Sequence, residues 1–400
     1  MMNSKLKETI KNNKLLYRFA IYSKAKLIIG LYKVGGLLFK TNKQKAVFIS
    51  FGGKSYSCNP RAVSEELHKI APEFRIVWLF SDAKKKKTVV PEYIKCVEVG
   101  TLRAYWEQIK SGFWLDSFNK HISTCKKSDQ IYIQLYHGDR GFKKILYDSH
   151  KASPNDYYIE QDICDLMLSG SEYYNRVIES AFKFNGEVMM VGSPRNDLLL
   201  NYSKKDITNI KKAIGLSTDI KVLMYAPTLR RFAQGKEQEL ADIDLESTLD
   251  ALENKTKQRW ICIIRAHSAV KGFANSPENS NQIIDVTKYE DMRDLLLITD
   301  LLITDYSSSA GDFALLKRPI ILYQSDRERY LRDDRTFYFD IDTSPFTVVF
   351  NQEQLSAAIQ ELDEKTVEKQ CEQILEFYGT VETGHAAKSV VEYILSKTKY

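Results

Sequence analysis

Along most of the chain, short apolar runs closed by glycine, proline or a polar residue alternate with stretches of helical spacing. KAVFISFGG (45–53) ends in two glycines, and a helix is predicted from about Asn59 to Ile70. FRIVWLF (74–80), YIQLY (132–136), DLMLS (165–169) and EVMMVGSP (187–194) read as further strands, with a solvated KKKK turn at 84–87 and Ser171 at a helix N-cap. The alternation restarts in the second half. Strands are predicted at 221–228, 260–267, 283–286, 301–304 and 319–323, and helices at 244–254, 291–297, 308–317, 352–362, 367–378 and after Gly384. Continuous apolar strands separated by helices imply parallel sheets with crossover connections. The pattern therefore predicts an α/β protein with two Rossmann-like domains facing a cleft. Gly192-Ser193-Pro194 and the polar stretch Asn201 to Ser217 mark the junction between them. The expected divisions are a basic segment at 1–44, domains at 45–200 and 215–380, and a C-terminal helix at 381–400.

The chain has 400 residues, 44% hydrophobic and 28% charged, which suits a globular protein with room for two cores. Its six cysteines are scattered and none forms a C-x-x-C pair, so neither a disulfide framework nor a zinc knuckle is indicated. A reducing, cytoplasmic compartment fits. The formal charge of +6 conceals an asymmetry: residues 1–45 carry eleven Lys/Arg and one acid, a net of +10, which leaves −4 on the other 355 residues. Such an acidic body with a basic front end is not a nucleic-acid binder. Lysines break the front apolar runs too often for a transmembrane helix, which needs about 20 largely apolar residues. Two readings stand. The segment is a helix lying on an anionic membrane with Lys14, Arg18, Lys24, Lys26 and Lys33 at headgroup level, or it is a helix packed on the body with a solvated basic face. The first places the protein peripherally on the cytoplasmic face of the cell membrane.

The candidate chemistry gathers at strand ends, where ligands of doubly wound sheets bind. LLITDYSSSAGDFALL (301–316) sets Ser307, Ser308 and Ser309 where a strand hands over to a helix. A helix N-terminus presents free N–H groups and a partial positive charge, and hydroxyls add donors, so a phosphate is the expected ligand. One serine as a simple cap is the plainer alternative. His137 in YHGDRG follows a strand beside the permissive Gly138 and Gly141 and is a candidate general base. Arg265 and His267 in IIRAHS suit a pyrophosphate. Thr228, Arg230 and Arg231 leave a further strand, Arg195 and Asp197 in GSPRND suit a locked turn, and DRERY and LRDDRTFYFD (326–340) cluster arginines with acids. No Walker loop, dinucleotide fingerprint, H-E-x-x-H or G-x-S-x-G occurs, and no His/Cys/Asp cluster has metal-ligand spacing. No cofactor is predicted, and divalent-cation dependence is left open.

In order, YHGDRGFKK, GSPRND, YAPTLRR, IRAHS, LLITDYSSSAGDF, KRPIILY and DRERY resemble the motifs of the CDP-glycerol glycerophosphotransferase family, the teichoic-acid polymerases and primases. The resemblance implies a GT-B-like architecture, with the acceptor on the first domain and the nucleotide donor on the second. It implies transfer of a polyol phosphate, most simply glycerol phosphate, from a CDP-activated donor to a hydroxyl of a lipid-linked acceptor. CMP is released, and the product is a teichoic-acid-like or capsular polymer. His137 matches the family's general base, Arg265 and His267 match donor-phosphate residues, and Ser307 and Ser308 match hydroxyls at the pyrophosphate. Thr228, Arg230, Asp305 and Ser309 join them on the donor side. Gly138, Asp139, Arg140, Arg195 and Asp197 fall on the acceptor side or in a structural role. Asp139 and Arg140 stand where the family usually has threonine and proline, and Tyr136 where it has tryptophan. A UDP- or GDP-sugar transferase and a non-catalytic envelope-polymer binding protein are the alternatives.

Overall fold

The computed structural model describes residues 14–120, 123–149, 159–230, 243–266 and 282–398, with side chains from residue 22 onward. The first sheet contains β1 (Asn42–Ile49), β2 (Arg75–Phe80), β3 (Lys95–Glu98), β4 (Ser111–Asp116), β5 (Ile131–Gln134), β6 (Leu166–Ser169) and β7 (Glu187–Met190). The second contains β8 (Lys221–Ala226), β9 (Trp260–Ile264), β10 (Ile283–Asp285), β11 (Leu301–Thr304), β12 (Ile320–Tyr323) and β13 (Thr347–Val349). The strand orders are β3-β2-β1-β4-β5-β6-β7 and β10-β9-β8-β11-β12-β13, parallel throughout. Both sheets reverse direction beside their first strand, and each crevice opens at the carboxyl ends there. The carboxyl ends of β5, β8, β9 and β11 carry the candidate residues.

β4 is central and fully buried, yet its pattern, SGFWLD, is not separated from the preceding helix by any turn residue. Gly112 lets it pass β1, since a Cβ there would lie 2.9 Å from the Asn42 carbonyl oxygen. β3 and β13 are edge strands of four and three residues, too short to show a period. The polar junction is itself helical at Asp197–Asn201 and Lys204–Ala213. A reciprocal capping box between Ser203 and Asp206 starts the second of these helices.

The front segment forms a helix, Lys14–Leu38. Ala25 and Tyr32 are buried against the first domain, and the Tyr32 hydroxyl donates to Gln108 Oε1 at 2.7 Å. Gly35 allows the approach, because a Cβ would meet Ile109 at 2.7 Å. Tyr22, Leu27, Leu31, Val34, Leu37 and Leu38 remain exposed, as do Lys24, Lys26 and Lys33. The helix therefore packs on the body by one face and carries a second apolar stripe that the body does not cover. Lys14 and Arg18 lie in the helix, but their side chains are outside the described ones. No helix among the described residues is long and apolar enough to cross a membrane.

The helix Ala386–Ser396 returns from the second domain to the first, where Val390, Val391 and Ile394 join the core of Phe48, Trp78 and Leu115. The Asp197 carboxylate accepts from the Ala386 and Ala387 N–H groups at 2.9 and 2.8 Å and so caps that helix.

Beside this crossing lies a buried ionic network. The Arg140 guanidinium donates to Asp139 at 3.1 Å, Asp312 at 2.7 Å and Glu382 at 2.7 Å. Arg195 reaches Asp312 at 2.8 Å, and Asn196 donates to both Asp312 and Glu382. Burial raises Asp139 to about 6, whereas Arg195 and Arg140 outweigh burial and hold Asp312 below the usual carboxylate range. Removing one member of a buried ion pair costs about 3–5 kcal/mol. Arg140→Met is expected to lower the urea midpoint by a corresponding amount, while Lys317→Met, at an exposed ion pair, leaves it nearly unchanged. Equal midpoints for the two variants would contradict the structural weight given to the network.

Candidate active site

β5 ends at Gln134, and the chain turns sharply through Tyr136, whose φ is 43°. Asn59 secures the turn by donating to the carbonyls of Leu135 and Tyr136 at 2.8 and 3.0 Å, and its own carbonyl accepts from the Arg195 N–H at 2.9 Å. The turn projects His137 between Phe51 and Phe118, with ring centroids 4.9 and 5.7 Å away. Nδ1 of His137 lies 2.5 Å from the Ser117 carbonyl oxygen. A carbonyl only accepts, so Nδ1 carries the proton and Nε2 keeps its lone pair. Burial pushes the imidazole down to about 4, opposed by the Ser117 hydrogen bond and helped by the charges of Arg195, Lys143 and Arg335. His137 is thus a neutral base with one nitrogen held and the other available.

The serine turn of the second domain abuts this loop. A Cβ on Gly141 would lie 3.2 Å from Ser308 Cβ, and one on Gly138 would lie 3.9 Å from Ser308 Oγ. Gly311 is more constrained, since a Cβ there would meet Arg140 Cβ at 2.5 Å. Ser307 Oγ accepts from the Ser309 N–H and hydroxyl at 3.2 and 2.8 Å, so Ser307 shapes the turn as a local cap. Ser308 occupies the N-cap position without making a side-chain cap bond, and it is half-buried. Within the turn, Ser307 holds the backbone and Ser308 lies against Gly138 and Gly141 of the His137 loop.

Arg230 and Asp305, expected on the donor side, pair with each other in the fold. Asp305 accepts from Arg230 Nη1 at 2.7 Å, from the Thr228 N–H at 3.0 Å and from the Tyr306 N–H at 2.5 Å. Arg230 also grips Asp326 with two bonds of 2.7 and 3.0 Å and lies over the Tyr306 ring at 4.8 Å. Thr228 Oγ1 accepts from the same guanidinium at 3.0 Å. These residues shape the carboxyl ends of β8 and β11. Asp139, Arg140, Arg195 and Asp197 likewise belong to the buried network and the helix cap. Arg265 differs: it is half-buried at the end of β9 and, among the described residues, makes no side-chain hydrogen bond or ion pair. His267 and Arg231 lie outside the described residues. Sequence reasoning assigned no chemical role to Asn59, Phe51, Phe118 or Lys143, although Lys143 sits inside YHGDRGFKK. No group of three metal-ligating side chains occurs among the described residues.

Residues 31–396 match the family model of CDP-glycerol:poly(glycerophosphate) glycerophosphotransferase. The chain belongs to this family. It is 31% identical to a teichoic acid poly(glycerol phosphate) polymerase of Bacillus spizizenii over 98% of its own length and 100% of the relative's. A polymerase of the same description from Bacillus subtilis is also 31% identical, over 80% of this chain but only 44% of that longer protein. The solved wall teichoic acid polymerase TagF superposes with a TM-score of 0.81 at 25% identity, covering 96% of this chain and 98% of the solved one. The two parallel-sheet domains accordingly have the GT-B-like architecture that the sequence motifs implied.

The geometry of His137 has a direct spectroscopic consequence. Its imidazole is expected to remain neutral until the pH approaches about 4, as read by NMR of the labelled ring, where an ordinary histidine protonates near 6.5. The unfolded chain takes up this proton first, so stability is lost as the pH falls from about 6.5 toward 4. His137→Asn should remove that part of the pH slope.

Proposed function

We propose that the protein transfers glycerol phosphate from CDP-glycerol to a hydroxyl of a lipid-linked teichoic-acid-like or capsular acceptor, releasing CMP. The observation that carries this reading is the neutral His137, with Nε2 free, on a loop that touches the serine turn of the opposite domain. In-line transfer needs a base for the attacking hydroxyl, a cradle for the pyrophosphate and fixed positions for both. His137 takes the acceptor proton at Nε2. The oxygen attacks the β-phosphorus, and the bond to the bridging oxygen breaks with its electrons leaving on CMP. Ser308 presents its hydroxyl to the pyrophosphate, Ser307 and Ser309 hold the turn that carries it, Arg265 at the end of β9 adds a cation, and His267, two residues further along the sequence, joins them in this reading. Thr228, Arg230 and Asp305 act as positioning residues. A side chain at Gly138 would crowd the Tyr136 ring, which a Cβ would meet at 3.3 Å.

The uncovered stripe of the front helix supports a peripheral place on an anionic membrane surface at the cytoplasmic face, where a lipid-linked acceptor would be met. Exposed apolar residues enter the interface while neighbouring lysines meet headgroups.

Purified protein given CDP-glycerol and a glycerol-phosphate-primed lipid acceptor should release CMP in an acceptor-dependent manner, and His137→Ala should slow this by ~10²–10⁴-fold. CMP from CDP-ribitol alone would reassign the polyol, and UDP or GDP from sugar nucleotides would sink the phosphotransferase reading. Replacing Leu27, Leu31, Leu37 and Leu38 by glutamine should release the folded protein from phosphatidylglycerol vesicles in sedimentation. Retention of the variant on those vesicles would exclude this helix as the membrane contact.

A further inference from the structure

Cations line the cleft, but most are already engaged. Arg140, Arg195 and Arg230 each hold a carboxylate at 2.7–2.8 Å, and at the opposite edge Arg61 and Arg293 hold Glu65 at 2.8 and 3.2 Å. Two cations near His137 are not engaged in this way. Lys143 makes no side-chain hydrogen bond or ion pair among the described residues, although it is half-buried. Among the described residues, Arg335 approaches a carboxylate only at 3.6 Å, that of its neighbour Asp334. They come from opposite domains and are held together by backbone pairing: Lys143 bridges Phe337 antiparallel, the Lys144 N–H donates to the Thr336 carbonyl at 2.9 Å, and the Tyr338 N–H donates to the Phe142 carbonyl at 2.8 Å.

We propose that Lys143 and Arg335 are catalytic residues that together hold the non-bridging oxygens of the phosphoryl group in transfer. This deepens the glycerophosphotransferase reading and rests on it. The position follows from the surroundings. Lys143 is two residues beyond Gly141, which touches Ser308 of the pyrophosphate turn, and both cations lie close enough to His137 to repel its proton. A phosphorus between the serine turn and Nε2 therefore has one cation from each domain beside it. Burial and the neighbouring Arg335 and Arg230 lower Lys143 to about 7, against the opposing pull of Asp305 and Asp334. Two like charges left together in a half-buried site are completed by an anion. An anionic phosphoryl group restores the lysine's charge and offsets the repulsion felt by His137. When the acceptor oxygen bonds to phosphorus and the bridging oxygen leaves with CMP, negative charge spreads over the non-bridging oxygens that these cations face.

The test compares Lys143→Met, Lys143→Arg, Arg335→Met and Arg335→Lys with the unaltered protein, after thermal melts establish that each is folded. CMP release from CDP-glycerol is measured with the primed lipid acceptor and with water alone. For each Met variant we expect kcat to fall ~10²–10³-fold with both acceptors while KM for the donor changes far less. The Arg and Lys variants should recover part of the rate. A rise in KM for the lipid acceptor with unchanged water-dependent release would overturn the proposal, moving the cations to an acceptor phosphate. Equal kcat in all variants would overturn it as well. If the unaltered protein releases no CMP, the functional reading fails separately. Calorimetry with inorganic pyrophosphate then decides the site, with binding weakened at least ~10-fold in the Lys143→Met/Arg335→Met double variant as the expected result and equal binding as the refutation.

Discussion

Arg140 is almost completely buried, and its three carboxylate partners come from three places in the chain: the adjacent residue, the helix after the serine turn and the segment that crosses back to the first domain. A buried ion is tolerable only when paired and hydrogen-bonded, because each unpaired charge costs several kcal/mol. Separating the domains at this edge would strand Asp312 on one side and Arg140 on the other. A second ionic contact guards the opposite edge, where Arg61 reaches Asp291 and Asp294 at 3.3 and 3.4 Å. Glu290 accepts from the Tyr56 N–H at 2.7 Å. With both edges fastened, rigid opening of the cleft is unfavourable. The register between the His137 loop and the serine turn is therefore set before substrate arrives, which is what positional catalysis of phosphoryl transfer requires.

The same fixed apposition governs the base. Burial alone makes His137 reluctant to accept a proton, and three cations strengthen that reluctance. A general base works best with a pKa near the working pH. In the proposed reaction, a donor bearing a pyrophosphate would bring negative charge into this set of cations and raise the basicity of Nε2 as it binds. Base strength would then be coupled to donor occupancy through electrostatics, without any moving part. It also follows why Arg140, Arg195 and Arg230 are neutralised internally: a cleft with every guanidinium unpaired would hold phosphate tightly in the ground state and gain nothing in the transition state.

The sequence showed the parts of this site that depend on local pattern. Strand ends, the serines after LLIT and the histidine after YIQLY were visible because apolar runs and their terminators are local. The partners of Arg140 were not, since Asp312 and Glu382 lie 172 and 242 residues away, and nothing local distinguishes them from surface acids. The pairing of Arg230 with Asp305 was hidden for the same reason: nothing local to a strand end shows which carboxylate its arginine meets. β4 escaped because burial on both faces removes alternation, and a single lysine separates it from the preceding helix. The front helix carries two apolar stripes in one sequence, one packed on the body and one that the body leaves uncovered, and periodicity alone does not separate them.

Asp139 and Arg140 illustrate how a departure from a family pattern should be weighed. They follow the proposed catalytic histidine closely enough to suggest an altered acceptor site. Yet the Asp139 carboxylate accepts from the Gly170 N–H at 3.1 Å and pairs with Arg140, and neither side chain is left for a ligand. A threonine and proline at these positions could not tie Asp312 and Glu382 together. In this chain the two residues therefore fasten the domains to each other. The side chains that stand against the imidazole come instead from Phe51 and Phe118, whose ring centroids lie 4.9 and 5.7 Å from it, and the buried network leaves that arrangement alone.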